Sequence, residues 1–266
     1  MLSTLDLRGH TVLALHAHPD DEAIFTGITL RRLADAGARI VLVMATSGEL
    51  GESRVPLGRG ESISDRRIAE LEHAAALLGV ARLELLSSRD SGLPGWSSAT
   101  HPRALANADT HTLAARIARI AEQEGAGTLI YDDEQGIYGH PDHQAAFRIG
   151  SAAATMSGAT GYRMTVDRDH LNTAAPGGHL VHGAASAAAV DFGRSTSEIT
   201  LAVTGNQTQL AAKYSAITAH ASQIGHSDVP AAVFQDAYGT EWFRREEPTG
   251  LLDLLSDVHV LAGATG

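Results

Sequence analysis

The 266-residue chain contains no cysteine. That excludes disulfides, thiolate metal sites and cysteine nucleophiles, and it leaves the redox compartment open. Basic residues never cluster. With 20 Lys and Arg against 31 Asp and Glu, the formal net charge is -11. Nucleic acid is therefore not an expected partner, because phosphate contacts need grouped cations. No apolar stretch approaches the ~20 residues of a membrane span. Residues 1–8 lack the apolar centre of a secretory signal. The expectation is a cytoplasmic protein with no membrane span. The 44% hydrophobic content is ample for a core. Fourteen histidines without a cysteine fit metal chemistry, although most should be ordinary surface residues.

What is present is an alternation of two periodicities. Strand signals fall at 11–15, 39–44, 83–86 and 128–131. Helix signals fall at 22–36, 64–78, 110–124 and 141–156. Ser64 is read as the cap of the second helix, and Gly79 ends it. Strands separated by helices imply an α/β fold, a Rossmann-like parallel sheet flanked by helices. Beyond it, 161–166 and 198–204 read as strands and 207–223 as a helix. The Ala- and Gly-rich stretch 177–197 has no assignment. No linker or solenoid period divides the chain, so a single domain over 1–266 with a C-terminal elaboration is expected. Two long loops, 47–63 and 87–108, have the length of functional segments.

Chemistry concentrates at two strand ends. His18-Pro19-Asp20-Asp21-Glu22 follows the first strand and opens the first helix. Ligands of open α/β sheets bind at that carboxyl edge. His18 and Asp21, three residues apart, can share one cation, which leaves Asp20 beside it to handle a proton. Tyr138-Gly139-His140-Pro141-Asp142-His143 follows another strand and the acidic Asp132-Asp133-Glu134. If the two edges converge, His18, Asp21 and His143 supply two imidazoles and one carboxylate. That set leaves a position open for water, as catalytic zinc sites do.

Together these motifs resemble the PIG-L/LmbE-like family of zinc-dependent N-deacetylases. The similarity extends through Thr46-Ser47-Gly48-Glu49, the segment from Arg67 to Gly79, and the segment from Lys213 to Gln223. The resemblance implies Zn²⁺, with Fe²⁺ possible on the same ligands, held by His18, Asp21 and His143. It implies Asp20 as general base and His140 as the group facing the developing oxyanion, with Asp142 orienting or charge-tuning His140. Arg67 and Tyr138 match substrate-contacting positions. The implied substrate is a small-molecule N-acetylated sugar conjugate, with N-acetylglucosamine attached to an unspecified aglycone. Nothing in the sequence specifies the oligomeric state.

Plainer readings stand beside these. Asp21 and Asp142 are good helix-start residues. Arg67 lies in a charge-rich helix whose solvated face would explain it. Tyr138 packs under its loop, Trp96 anchors its loop or stacks on a sugar, and His16 packs within its strand. Lys213 and His220 lie at the pocket rim or on a solvated helix face. Glu22 hydrogen-bonds a ligand or merely favours the helix start. Three other functions use the same residues: an amidase cleaving a larger amide such as a thiol-sugar conjugate, a facial-triad Fe(II) oxygenase, and a non-catalytic sugar- or metal-binding protein. The last has no use for Asp20.

Overall fold

The apolar run after Gly9 forms β1 (Thr11–His16), buried along its whole length. The computed structural model describes residues 5–245 and 248–256; residues 1–4, part of the segment read for a targeting signal, lie outside the described residues. After β1 come α1 (Asp21–Asp35), β2 (Arg39–Thr46), α2 (Ile63–Leu78), β3 (Arg82–Ser88), α3 (Thr110–Glu124) and β4 (Ala126–Asp132). The short turn α4 (Gly136–Gly139) leads into α5 (Pro141–Ser157) and β5 (Thr160–Thr165). Then follow α6 (Arg168–Ala174), α7 (Leu180–Ala188), β6 (Leu201–Thr204), α8 (Gln207–Ala219), α9 (Phe234–Tyr238) and β7 (Thr240–Arg245).

The sheet order is β3-β2-β1-β4-β5-β7-β6. The first five strands pair in parallel, and β7 runs antiparallel to both of its neighbours. The expected α/β class is borne out, with one antiparallel strand added by the C-terminal elaboration. Strand alternation sorts the core into two layers. Val12, Ala14, Ile40 and Leu42 face α1, α2 and α8, whereas Leu13, Leu15, Val41 and Val43 face α3 and α5. Both faces are covered, which is why these strands read as unbroken apolar runs. Among the described residues no helix is long and apolar enough to cross a membrane.

Local differences have local causes. Ser62, not Ser64, caps α2: its hydroxyl accepts the Asp65 amide while Asp65 accepts the Ser62 amide, a reciprocal box that satisfies two free donors. Gly79 closes the helix at φ +81. The unassigned stretch 177–197 contains α7, and the strand expected over 198–204 is ordered only from Leu201. The sequence reading missed β7, whose half-buried pattern is short and lies next to charged residues.

The one lysine of the chain, Lys213, is neither at a rim nor solvated. It is 1% exposed, and its Nζ donates to Glu241 Oε1 at 2.7 Å. Glu241 also accepts the Ile28 and Thr29 amides of α1, each at 2.8 Å. One buried carboxylate on β7 thus ties α8 to the helix that begins in the first motif. Glu241→Ala would strand a buried ammonium and two amides. It should cost about 3–5 kcal/mol of stability, read as a lowered urea midpoint; a midpoint within about 1 kcal/mol of the parent would remove this role.

Candidate active site

The strand order reverses between β1 and β4, since the chain builds β1, β2 and β3 outward and then returns to the other side of β1. Such a switch point leaves a crevice at the carboxyl ends of the two strands. Both motifs enter it, and each turns sharply to do so. Asp20 has φ +117 and Ile137 has φ +58, conformations that non-glycine residues rarely adopt and that collect at functional sites. Glu22 Oε2 accepts the Asp20 amide at 2.9 Å, and His220 Nε2 hydrogen-bonds Glu22 Oε1 at 2.7 Å. Glu22 therefore fixes the first turn from behind. Asp133 Oδ1 does the same for the second turn, accepting the Ile137 amide at 3.0 Å.

The imidazoles of His18 and His143 are each anchored at one nitrogen. His143 Nδ1 meets Asp132 Oδ1 at 2.7 Å, and His18 Nε2 meets Asp142 Oδ2 at 3.1 Å. A carboxylate at the far nitrogen fixes the tautomer and frees the near nitrogen as a donor to a metal. The freed atoms, His18 Nδ1 and His143 Nε2, each lie 3.6 Å from Asp21 Oδ2. That separation is too long for a hydrogen bond. It matches the roughly 3.3–3.6 Å between two ligands of a tetrahedral ion with bonds of about 2.0–2.2 Å. His143 Nε2 is buried without a hydrogen-bond partner.

Electrostatics point the same way. Burial would lower both rings, yet Asp142, Asp21 and Asp90 hold His18 well above the ordinary histidine range. Asp21 and Asp132 push His143 up to about 9. Burial also opposes the Asp21 carboxylate, but His143 and His18 keep it well below the usual range. The pocket calls for positive charge, and a divalent cation held between these atoms would supply it. Distance alone admits other donors. Nitrogens of His18, His140 and His143 lie within 4.8 Å of one another, as do His18, Asp90 and Asp142 donor atoms. Hydrogen bonding favours the set centred on Asp21: Asp142 Oδ2 already serves His18 and the Ser91 amide, whereas Asp21 Oδ2, among the described residues, accepts only the His18 amide.

His18, Asp20, Asp21, Arg67, Tyr138 and His140 line one cleft of about 440 Å³. Asp142 and His143 lie behind it, fully buried. Arg67 is 5% exposed, which overturns the solvated-face reading. Its guanidinium donates to the Gly48 and Pro19 carbonyls at 2.8 and 2.5 Å and reaches Asp20 Oδ2 at 3.2 Å. Gly48 turns at φ +63, and a Cβ there would sit 2.3 Å from the guanidinium, so a side chain at that position would displace Arg67. Burial pushes the Asp20 carboxyl up to about 6 against the pull of Arg67.

The expected link from Asp142 to His140 is corrected: the Asp142 carboxylate supports His18 instead, and only its backbone amide reaches His140, donating to Nδ1 at 3.1 Å. His140 is thereby the cap of α5. Burial, with His18 and His143 nearby, holds its ring well below the ordinary range. The Tyr138 ring lies 5.3 Å from that of His143, and burial raises its hydroxyl pKa. Trp96, 48% exposed, stands at the cleft wall. His16 packs against Thr26 in the core.

Sequence reasoning missed Asp90, whose Oδ1 lies 3.7 Å from His18 Nε2. It also left Asp132 as part of an acidic loop. Asp132 had a usable signal, an acid at a strand end; Asp90, in a long loop, had none.

Residues 13–154 match the PIG-L family, described as GlcNAc-PI de-N-acetylase. A deacetylase of 1D-myo-inositol 2-acetamido-2-deoxy-alpha-D-glucopyranoside from Thermobispora bispora is 34% identical over 242 residues, 80% of this chain and 79% of the relative.

The chain belongs to the PIG-L family.

A deacetylase of the same description from Catenulispora acidiphila is 39% identical over 161 residues, 57% of this chain and 53% of that protein. The chain spans about half the length of several curated relatives it matches. Among solved structures, N,N'-diacetylchitobiose deacetylase from Pyrococcus horikoshii aligns with a TM-score of 0.57 at 21% identity, covering 92% of this chain and 88% of that one. At that identity the likeness shows a shared fold.

Asp132→Asn should weaken metal binding about 10–100-fold, because the partner that fixes the His143 tautomer loses its charge. Competition against a chromophoric chelator reads this directly, and an unchanged affinity would sever Asp132 from the metal centre.

Proposed function

We propose that this PIG-L protein is a zinc-dependent hydrolase that removes an N-acetyl group from a glucosamine-containing conjugate. The observation that carries the reading is the convergence of His18 Nδ1 and His143 Nε2 on Asp21 Oδ2, beside an ionisable Asp20 that is not needed as a ligand. The inositol glycoside in the relatives' names suggests an inositol-type aglycone. The sheet and its helices act as one domain in this proposal.

His18, Asp21 and His143 would hold the ion; when bound, Zn²⁺ polarises the amide carbonyl and lowers the pKa of water from about 15.7 toward about 7. Asp20 takes the proton of the attacking water at its carboxylate, and Arg67 keeps that carboxylate aimed into the cleft. Water adds to the acyl carbon, and the C–N bond then breaks. Asp20 delivers the proton to the leaving nitrogen, giving acetate and a free amine. His140 acts as a neutral donor. Its Nδ1 already accepts the Asp142 amide, so the ring proton sits on Nε2 and is available to the carbonyl oxygen. Such a donor is worth about 10²–10³-fold in rate. Tyr138 and Trp96 supply walls for the sugar ring.

The test is release of free amine from a panel of N-acetylglucosaminyl compounds by metal-loaded protein, chelated protein and Asp20→Asn. Chelation should abolish release, and re-addition of Zn²⁺ should restore it. Asp20→Asn should lose about 10²–10⁴-fold in kcat while keeping its metal. His143→Ala should lose the metal itself. Release that survives chelation, or an Asp20→Asn protein that turns over normally, contradicts the mechanism.

A further inference from the structure

A second cavity, of about 470 Å³, opens at the carboxyl ends of β2 and β3. It shares a wall with the metal cleft. Glu49 and Arg89 line the cavity, while their chain neighbours Leu50 and Asp90 line the cleft. Glu49 Oε1 accepts the Asp90 amide at 3.0 Å across that wall. The two spaces are therefore adjacent but chemically distinct.

The cavity is lined by Arg89, Arg103 and His101 together with serine hydroxyls. Glu49 is the one carboxylate in its lining, and both of its oxygens are engaged, by the Asp90 amide and by the Ser47 hydroxyl at 3.0 Å. Among the described residues, neither the Arg89 nor the Arg103 guanidinium has a hydrogen-bond or ion-pair partner. Several other surface arginines, among them Arg31, Arg39, Arg66 and Arg82, are paired with a carboxylate. Arg89 and Arg103 are exposed, and what sets them apart is that both line one cavity whose single carboxylate is already engaged. The backbone is also specialised there. Met44 pairs with Leu85 but Thr46 pairs with Ser88, and Ser87 at the slip has φ +61. Bulges of this kind re-aim side chains.

We propose that this cavity is an oxyanion site that takes the phosphate of a small molecule, separately from the metal centre. The planar forks of Arg89 and Arg103 match phosphate oxygens bidentately, and the hydroxyls of Ser87 and Ser88 add neutral donors. The phosphate is either borne by the sugar conjugate or free in solution, and two probes separate these sources.

Calorimetry on the metal-loaded full chain would use inorganic phosphate and N-acetylglucosamine 1-phosphate. Both the parent and the double variant Arg89→Gln/Arg103→Gln keep the metal, so phosphate bound at the metal affects them equally. The expected result is at least about a tenfold loss of affinity in the double variant, with partial recovery in Arg89→Lys/Arg103→Lys. A loss for both probes identifies the bare anion as sufficient; a loss for the sugar phosphate alone identifies a substrate-borne group. Equal affinity in parent and double variant, or no binding by the parent, overturns the proposal. The readout needs no turnover, so it stands apart from the deacetylase reading.

Discussion

Asp21 Oδ2 accepts the His18 amide at 2.8 Å and faces one nitrogen of His18 and one of His143, each at 3.6 Å. Two roles meet in that atom: it closes the turn after β1, and it brings the two motifs together. It can do so only because the sheet reverses its strand order beside β1, which makes the loops after β1 and β4 neighbours. Asp20 is turned into the cleft by the same constraint. Its left-handed backbone costs on the order of 1–3 kcal/mol, and Glu22, buried and bonded to His220, holds it in place.

Behind this edge the protein stacks a layer of buried acid pairs. Asp132 holds His143, Asp142 holds His18, and Glu22 holds His220. Deeper still, Glu241 joins Lys213 to the α1 backbone, and Glu70 accepts both the amide and the hydroxyl of Ser222. Buried networks of this kind rigidify when every member is satisfied. His143 Nε2 is left without a hydrogen bond and faces Asp21 Oδ2 between the two motifs.

Much of this was legible in the linear sequence. The strands β1, β2 and β4 are unbroken apolar runs and were found within a few residues. The residues of both motifs occupy one cleft or its floor, as the spacing suggested. For Arg67 a solvated face stood beside the cleft position because its helix carries many charges, and sequence does not say which of them faces inward. Lys213, the only charge on α8, was misread because its partner Glu241 lies on a strand that the sequence reading missed. The Asp142 carboxylate was paired with the wrong histidine, since only Pro141 separates it from His140 while its true contact, to His18, spans most of the α/β unit.

The sequence by itself determined the local chemistry: which residues can ligate, which can carry a proton, and where each strand hands over to a helix. Those properties depend on neighbours within a turn or two, where periodicity and spacing leave a trace. Only the tertiary structure decided the partners. The placement of Asp90 against His18, of Glu241 under α1 and of Arg89 with Arg103 around one cavity depends on strand order and on loop paths. Residues far apart in the chain meet through packing, and packing of that range leaves no local pattern to read.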